Sequence, residues 1–207
     1  QVLRHAVNDD SLKHWLTQDA MGYPSALQKC TYAIAKYFHS VPTAHTESAR
    51  WRRFIESFVE FVSETKSHVA TLNYDTLLYG PLIDGVDVNG TKVKLCNGFS
   101  GVLLDGYTNG RGFNNENVDR HSEDRQAFYM HLHGSPLFVD GANGRAKKLR
   151  RAELDEEEGH RRSHIVLTHG QMKPTVIASS PVLRMYWEKL PLAIEEAEEI
   201  IVFKSEY

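Results

Sequence analysis

Two cysteines in 207 residues, Cys30 and Cys96, form no C-x-x-C pair, so neither a cysteine zinc ribbon nor a disulfide framework can be assembled from this sequence. That scarcity fits a reducing cytoplasm. The sequence also lacks any apolar run of roughly 18 to 20 residues, the length a membrane helix needs, and its start has no basic stretch followed by an apolar one. Neither insertion into a membrane nor export is expected. An excess of positive charge is missing too: 24 Lys and Arg stand against 27 Asp and Glu, a formal net charge of −3 with the 11 His neutral. Direct nucleic-acid binding is therefore not expected. The chain opens on Gln1 rather than Met and stops at Tyr207 just after an apolar run, so further residues are expected at both ends. A chain of this length still buries roughly 70% of the surface its unfolded form exposes, enough for a core without metal or disulfide staples.

What is present begins with helical patterning. Leu27, Thr31, Ile34 and Phe38 recur at intervals of three and four within 26–38, and Trp51, Phe54, Ile55, Phe58, Phe61 and Val62 make a stronger stripe. Both stripes read as core packing. The period then changes at His68-Val69-Ala70-Thr71-Leu72, a buried-strand pattern that runs into the polar group Asn73-Tyr74-Asp75. Asn89-Gly90, between Val86-Asp87-Val88 and 91–95, signals a hairpin with a type I′ turn. Residues 97–126 are rich in Gly and Asn without sustained period and read as a long covering loop. Residues 128–133 form another strand, with Leu137-Phe138-Val139 as its return, whereas 145–164, charged with both signs, read as a solvated helix or loop.

Further on, Ile165-Val166-Leu167-Thr168 is a strand candidate, and Ser180-Pro181 looks like an N-cap with proline in the first helical position of a helix to about Lys189. Pro191 would start a second, acidic helix, and Ile200-Ile201-Val202-Phe203 returns to a buried-strand pattern. Strands alternating with helices favour a mostly parallel α/β sheet with flanking helices, interrupted by the inserted hairpin and long loop. One domain is expected over 1–207, with a helical part at 1–66 and an α/β part at 67–207 that carries the site.

Two strand ends deliver polar groups, Asn73 and Asp75 from one, His131 and His133 from the other. In an open parallel sheet such ends face a common crevice, where amide, carboxylate and imidazole can orient a polar ligand and activate a hydroxyl. The pair His131 and His133, separated by one residue on a strand, would also point to one face and suit a metal-dependent hydrolase, with His121, His164 or His169 and Asp75 as further ligands. No H-x-x-x-H or H-E-x-x-H spacing accompanies that pair.

The order Thr71-Leu72-Asn73-Tyr74-Asp75 followed later by His133-Gly134-Ser135 resembles the sirtuin-like NAD-consuming family, over most of the chain after Val69. With Leu77-Leu78 after the Asn-Tyr-Asp group, it looks more like the prokaryotic sirtuin-like NAD hydrolases of anti-phage defence than the protein deacetylases. The resemblance implies a Rossmann-like fold and cleavage of NAD, as substrate, to nicotinamide and ADP-ribose without a metal. It implies that Asn73 positions a water or the nicotinamide ribose, that His133 is the general base, and that Asp75 holds the carboxamide. Thr71, Gly134 and Ser135 would complete the binding site, the last two by letting the backbone approach the ligand. A regulatory or sensor partner, or a homo-oligomer, is implied as well, because a NAD-depleting activity must be held off until infection.

Three departures accompany the resemblance. The glycine-rich diphosphate loop of the family has no counterpart, since Gly22 stands alone in the corresponding region. After Phe203 comes Lys204-Ser205-Glu206-Tyr207 rather than a glycine turn. The four-cysteine zinc module of the deacetylases cannot be built from two cysteines, which leaves NAD cleavage ahead of acyl-lysine removal. The missing loop also keeps open a third reading, a nucleotide-binding assembly subunit without catalysis. Lys173, Arg184 and Thr168-His169-Gly170 are further candidates for ligand contact.

Overall fold

The hydroxyl of Ser48 accepts the Trp51 N–H at 3.1 Å and caps α1 (Ala49–Thr65), which ends where Lys66 turns left-handed at φ 53°. The computed structural model describes residues 29, 31–38, 48–74, 76–99, 111–113, 127–140, 146–149, 153, 164–166 and 173–203, and no helix among them is long and apolar enough to cross a membrane. Residues 31–38 are helical, with Thr31 and Ala35 buried. After α1 come β1 (Val69–Thr71), a short α2 (Tyr79–Leu82), β2 (Arg111–Gly112), β3 (Tyr129–His131), β4 (Gly134–Asp140), β5 (Ala146–Lys148), β6 (His164–Val166), α3 (Lys173–Ser179) and α4 (Pro181–Glu196).

The buried line of α1 is Ile55, Val59 and Val62, with Trp51 and Phe58 partly buried beside it. Phe54 and Phe61, expected on the core face, are exposed. At 3.6 residues per turn they lie about 100° and 120° round the helix from Ile55, beyond the arc that one contact surface covers. The main core joins this line to Met130 of β3, Phe138 of β4, and Leu183 and Tyr186 of α4.

β1 and β3 pair in parallel, Val69 opposite Tyr129 and Thr71 opposite His131. Cys96 bridges Phe128 in parallel, donating its N–H to Ala127 O at 2.8 Å and accepting the Tyr129 N–H at 2.9 Å. The second sheet is antiparallel throughout, in the order β2-β5-β4-β6. The structure is thus a mixed α/β arrangement. A mostly parallel sheet is not found among the described residues, where parallel pairing is confined to the neighbourhood of β1 and β3. Only Leu132 and His133 separate β3 from β4. A parallel crossover needs a dozen or more residues, so β4 leaves the first sheet and finds antiparallel neighbours.

Other expectations are corrected in the same way. Within 145–164, read as solvated, Ala146–Lys148 is a buried strand. Its Lys148 keeps the ammonium paired while burying the stem, with Nζ 4.5 Å from the Tyr79 ring centroid and 3.4 Å from Asp84 Oδ1. The Asn89-Gly90 turn forms as expected, with φ 51° and 85°, and Val88 and Thr91 exchange two hydrogen bonds of 2.9 Å. The ladder of that hairpin stops there, because the Leu95 N–H goes to Leu82 O at 2.7 Å instead. Of the covering loop at 97–126, only 97–99 and 111–113 lie within the described residues.

Ser180 caps α4 and Pro181 begins it, but the helix runs on through Pro191 to Glu196 without the expected break. Burial of Tyr186 and Ala193 on either side of Pro191 outweighs the intrahelical hydrogen bond its ring removes. Ile200 to Phe203, expected as a buried strand, are exposed and unpaired among the described residues. A β-prone composition makes a strand only where a sheet edge supplies hydrogen bonds, and none of the described strands reaches these residues. Phe203 rests edge-on against Phe58, with ring centroids 6.0 Å apart.

Candidate functional site at the ends of two parallel strands

Because β1 and β3 are parallel neighbours, the residues that follow them emerge at the same edge. Thr71 secures both exits. Its carbonyl accepts the Leu132 N–H at 2.9 Å, and its Oγ1 accepts the Asn73 N–H at 3.0 Å, which bends the chain as β1 ends. From α4, Trp187 Nε1 donates to Leu132 O at 3.0 Å, so the residue before His133 is held from two sides. Asn73 and His133, sixty residues apart in the chain, therefore leave adjacent strand ends. Asn73 is exposed and His133 half-buried.

Among the described residues, three groups lie around the His133 ring. The Tyr74 ring lies 6.1 Å away by centroids, itself 5.1 Å from Phe38. Lys173, the first residue of α3, brings Nζ to 3.3 Å from His133 Nε2. The Leu72 backbone lies against the ring as well. Burial, and then the Lys173 ammonium, lower the pKa of His133 from its ordinary value, while the Leu72 backbone acts in the opposite sense. The imidazole is consequently neutral at neutral pH and holds a lone pair. Burial raises the pKa of Tyr74, which keeps its phenol protonated.

The remaining candidates divide. Gly134 has φ 87°, and a Cβ there would lie 1.9 Å from Ile165 O. The close backbone approach at this glycine is made to β6, and not to a ligand as expected. Ser135 is fully buried, with Oγ accepting the Leu137 N–H at 3.3 Å. Asp75, His121, His169 and the Thr168-His169-Gly170 group lie outside the described residues. Arg184 faces Glu188 along α4, at 3.8 Å. Of the two further candidates among the described residues, Lys173 and Arg184, the fold carries Lys173 to His133.

The histidine pair of the metal reading comes apart. β3 ends at His131, and Leu132-His133 form a turn, so the period of two that would align the rings does not extend across them. His131 is fully buried, stacked on Tyr79 at 5.6 Å and edge-on to Tyr129 and Phe138 at 4.8 and 5.6 Å. His164 places Nδ1 2.8 Å from Pro136 O in the interior. Among the described residues no three His, Cys, Asp or Glu side chains are grouped to hold a metal ion.

Neither ring nitrogen of His131 has a hydrogen-bond partner among the described residues. Burial lowers its pKa to about 3; the Asn73 backbone opposes that shift without a well-formed hydrogen bond, and the Lys148 charge adds to it. Beside it a buried polar chain is fully used: Asn97 Nδ2 donates to Tyr79 Oη at 2.6 Å, and Tyr186 Oη donates to the Asn97 carbonyl at 2.7 Å.

Sequence reasoning missed the direct contact of Lys173 with His133 and the anchoring of Leu132 by Trp187. Both join residues forty or more positions apart. No local signal marks either. Tyr74, by contrast, stood in plain view inside the Asn-Tyr-Asp group.

A neutral imidazole, an exposed amide and an ammonium at one edge can take up a proton, orient a polar group and attract an anion. No protein-family model matches the chain, and no curated protein matches it.

Proposed function

We propose that the chain is a sirtuin-like NAD glycohydrolase with a Rossmann-like core, cleaving NAD to nicotinamide and ADP-ribose. The observation that carries this reading is the parallel β1 and β3 pair, which brings Asn73 and the neutral, half-buried His133 to neighbouring strand ends. The scissile bond joins the anomeric ribose carbon to the pyridinium nitrogen. As it breaks, the bonding electrons leave with nicotinamide and positive charge develops on the sugar. Water adds to that carbon and yields its proton to His133, which afterwards releases it to solvent. Asn73 orients the water or a ribose hydroxyl, and positioning with electrostatics supplies the acceleration. Asp75 holds the carboxamide in this reading. Thr71 acts through the backbone hydrogen bond that sets the position of Asn73, and Gly134 and Ser135 through the turn that follows His133.

The proposed setting is a cytoplasmic, NAD-depleting effector of anti-phage defence, held off by a sensor protein or by its own assembly. A second reading, a nucleotide-binding subunit without catalysis, is favoured by one observation: the chain contains no glycine-rich diphosphate loop. Incubating the purified chain with NAD separates the two. Equimolar nicotinamide and ADP-ribose are expected, with no loss of rate in a chelator. NAD bound but recovered intact, in every assembly state and with its partner supplied, would favour the second reading.

A further inference from the structure

Lys173 is the residue whose position the catalytic account leaves unexplained. An ammonium has donors only, so its approach to 3.3 Å from His133 Nε2 assigns the unprotonated lone pair to that nitrogen. The Nδ1 atom then carries the ring proton. A lone pair receiving a hydrogen bond from an ammonium cannot at the same moment receive a proton from water or a sugar hydroxyl. The groups described around the ring are Lys173, Tyr74 and the Leu72 backbone, and among them the lysine is the single formal charge.

We infer that Lys173 is a positioning residue that occupies the His133 Nε2 lone pair in the free protein and releases it when a phosphate-bearing ligand draws the ammonium away. This rests on the NAD reading above and adds a rule of substrate choice to it. The lysine stem is flexible and its charge compact, so the ammonium can move to a diphosphate without any change in the fold. A dinucleotide carrying that diphosphate exposes the base as it binds. Nicotinamide riboside contains the same scissile bond but no phosphate, and leaves the base covered. The site accordingly selects the anionic dinucleotide over the riboside at the step that frees the base.

The decisive experiment follows the His133 ring by NMR through a pH titration of the intact chain and of Lys173→Met, Lys173→Gln and Lys173→Arg, with and without inorganic diphosphate as probe. The ring pKa is expected to rise in Lys173→Met and Lys173→Gln and to stay low in Lys173→Arg. Diphosphate should raise it in the wild type and leave the Met and Gln variants unchanged. With substrates, Lys173→Met should increase KM for NAD by about tenfold or more, the weight of one charge-assisted contact, while cleavage of the riboside becomes faster because its base is no longer covered. Equal ring titrations in wild type and both neutral variants, or an equal response to diphosphate, would overturn the inference. If the wild type cleaves neither substrate in any assembly state and with its partner supplied, the NAD reading has failed, and the ring titrations still decide the role of Lys173.

Discussion

Gly134→Ala is expected to destabilise the chain by about 2 to 5 kcal/mol, the sum of a strained φ and a forced shift in a packed interior. Gly134 sits at φ 87°, and an added Cβ would meet Ile165 O at 1.9 Å and Ile165 C at 2.8 Å. Both are backbone atoms of β6, so no side chain can rotate out of the way. Relief requires β4 and β6 to separate where Gly134 pairs with Val166. Domains have roughly 5 to 15 kcal/mol of stability in all, so the loss removes a large share of it. The natural control is Gly90, which has nearly the same φ, 85°, with no heavy atom within 4 Å of a Cβ. Gly90→Ala should cost only the conformational penalty, about 1 to 2 kcal/mol. Urea unfolding of both variants gives the comparison, and similar midpoints for the two would contradict the close packing of β6 on Gly134.

Acid should unfold this protein through His131. Its pKa in the fold is about 3 against an ordinary 6.5, because the ring is fully buried among Tyr79, Tyr129 and Phe138 and faces the Lys148 charge. Below pH 6.5 the unfolded chain takes up a proton that the folded chain refuses. The contribution of this residue to stability is therefore complete above that pH and is lost as pH falls towards 3, at up to about 1.4 kcal/mol per pH unit. His131→Phe keeps the stacking surface and deletes the titrating group. Unfolding free energy measured between pH 7 and pH 4 should fall less steeply in the variant, with near-equal stability at pH 7. Parallel slopes would mean that the ring is hydrated or hydrogen-bonded in solution.

The strands and caps that a short stretch of sequence encodes were legible: Val69–Thr71, Tyr129–His131, the Asn89-Gly90 turn and the Ser180-Pro181 start. Long-range competition decided what local pattern could not. Lys147 and Lys148 look solvated until an aromatic ring and a carboxylate are available to cover one of them, and Pro191 looks like a boundary until packing on both sides holds the helix through it. Ile200 to Phe203 look buried, yet the described residues offer them no sheet edge. At the site, the placement of Asn73 and His133 followed from strand order alone. The departure of His131 into the interior did not, since it depends on β3 ending two residues before the expected strand end at His133. Lys173 joins the site only through the path of α3, which no local motif encodes.

Central to the account is that Asn73 and His133 serve one ligand. A double-mutant cycle in nicotinamide release from NAD tests this, using Asn73→Ala, His133→Ala and the double variant. Loss of the base should lower kcat by about 10² to 10⁴, and the double variant should be little slower than the worse single one, because the two groups act on the same step. Full activity in either single variant, or losses that multiply in the double one, would contradict it.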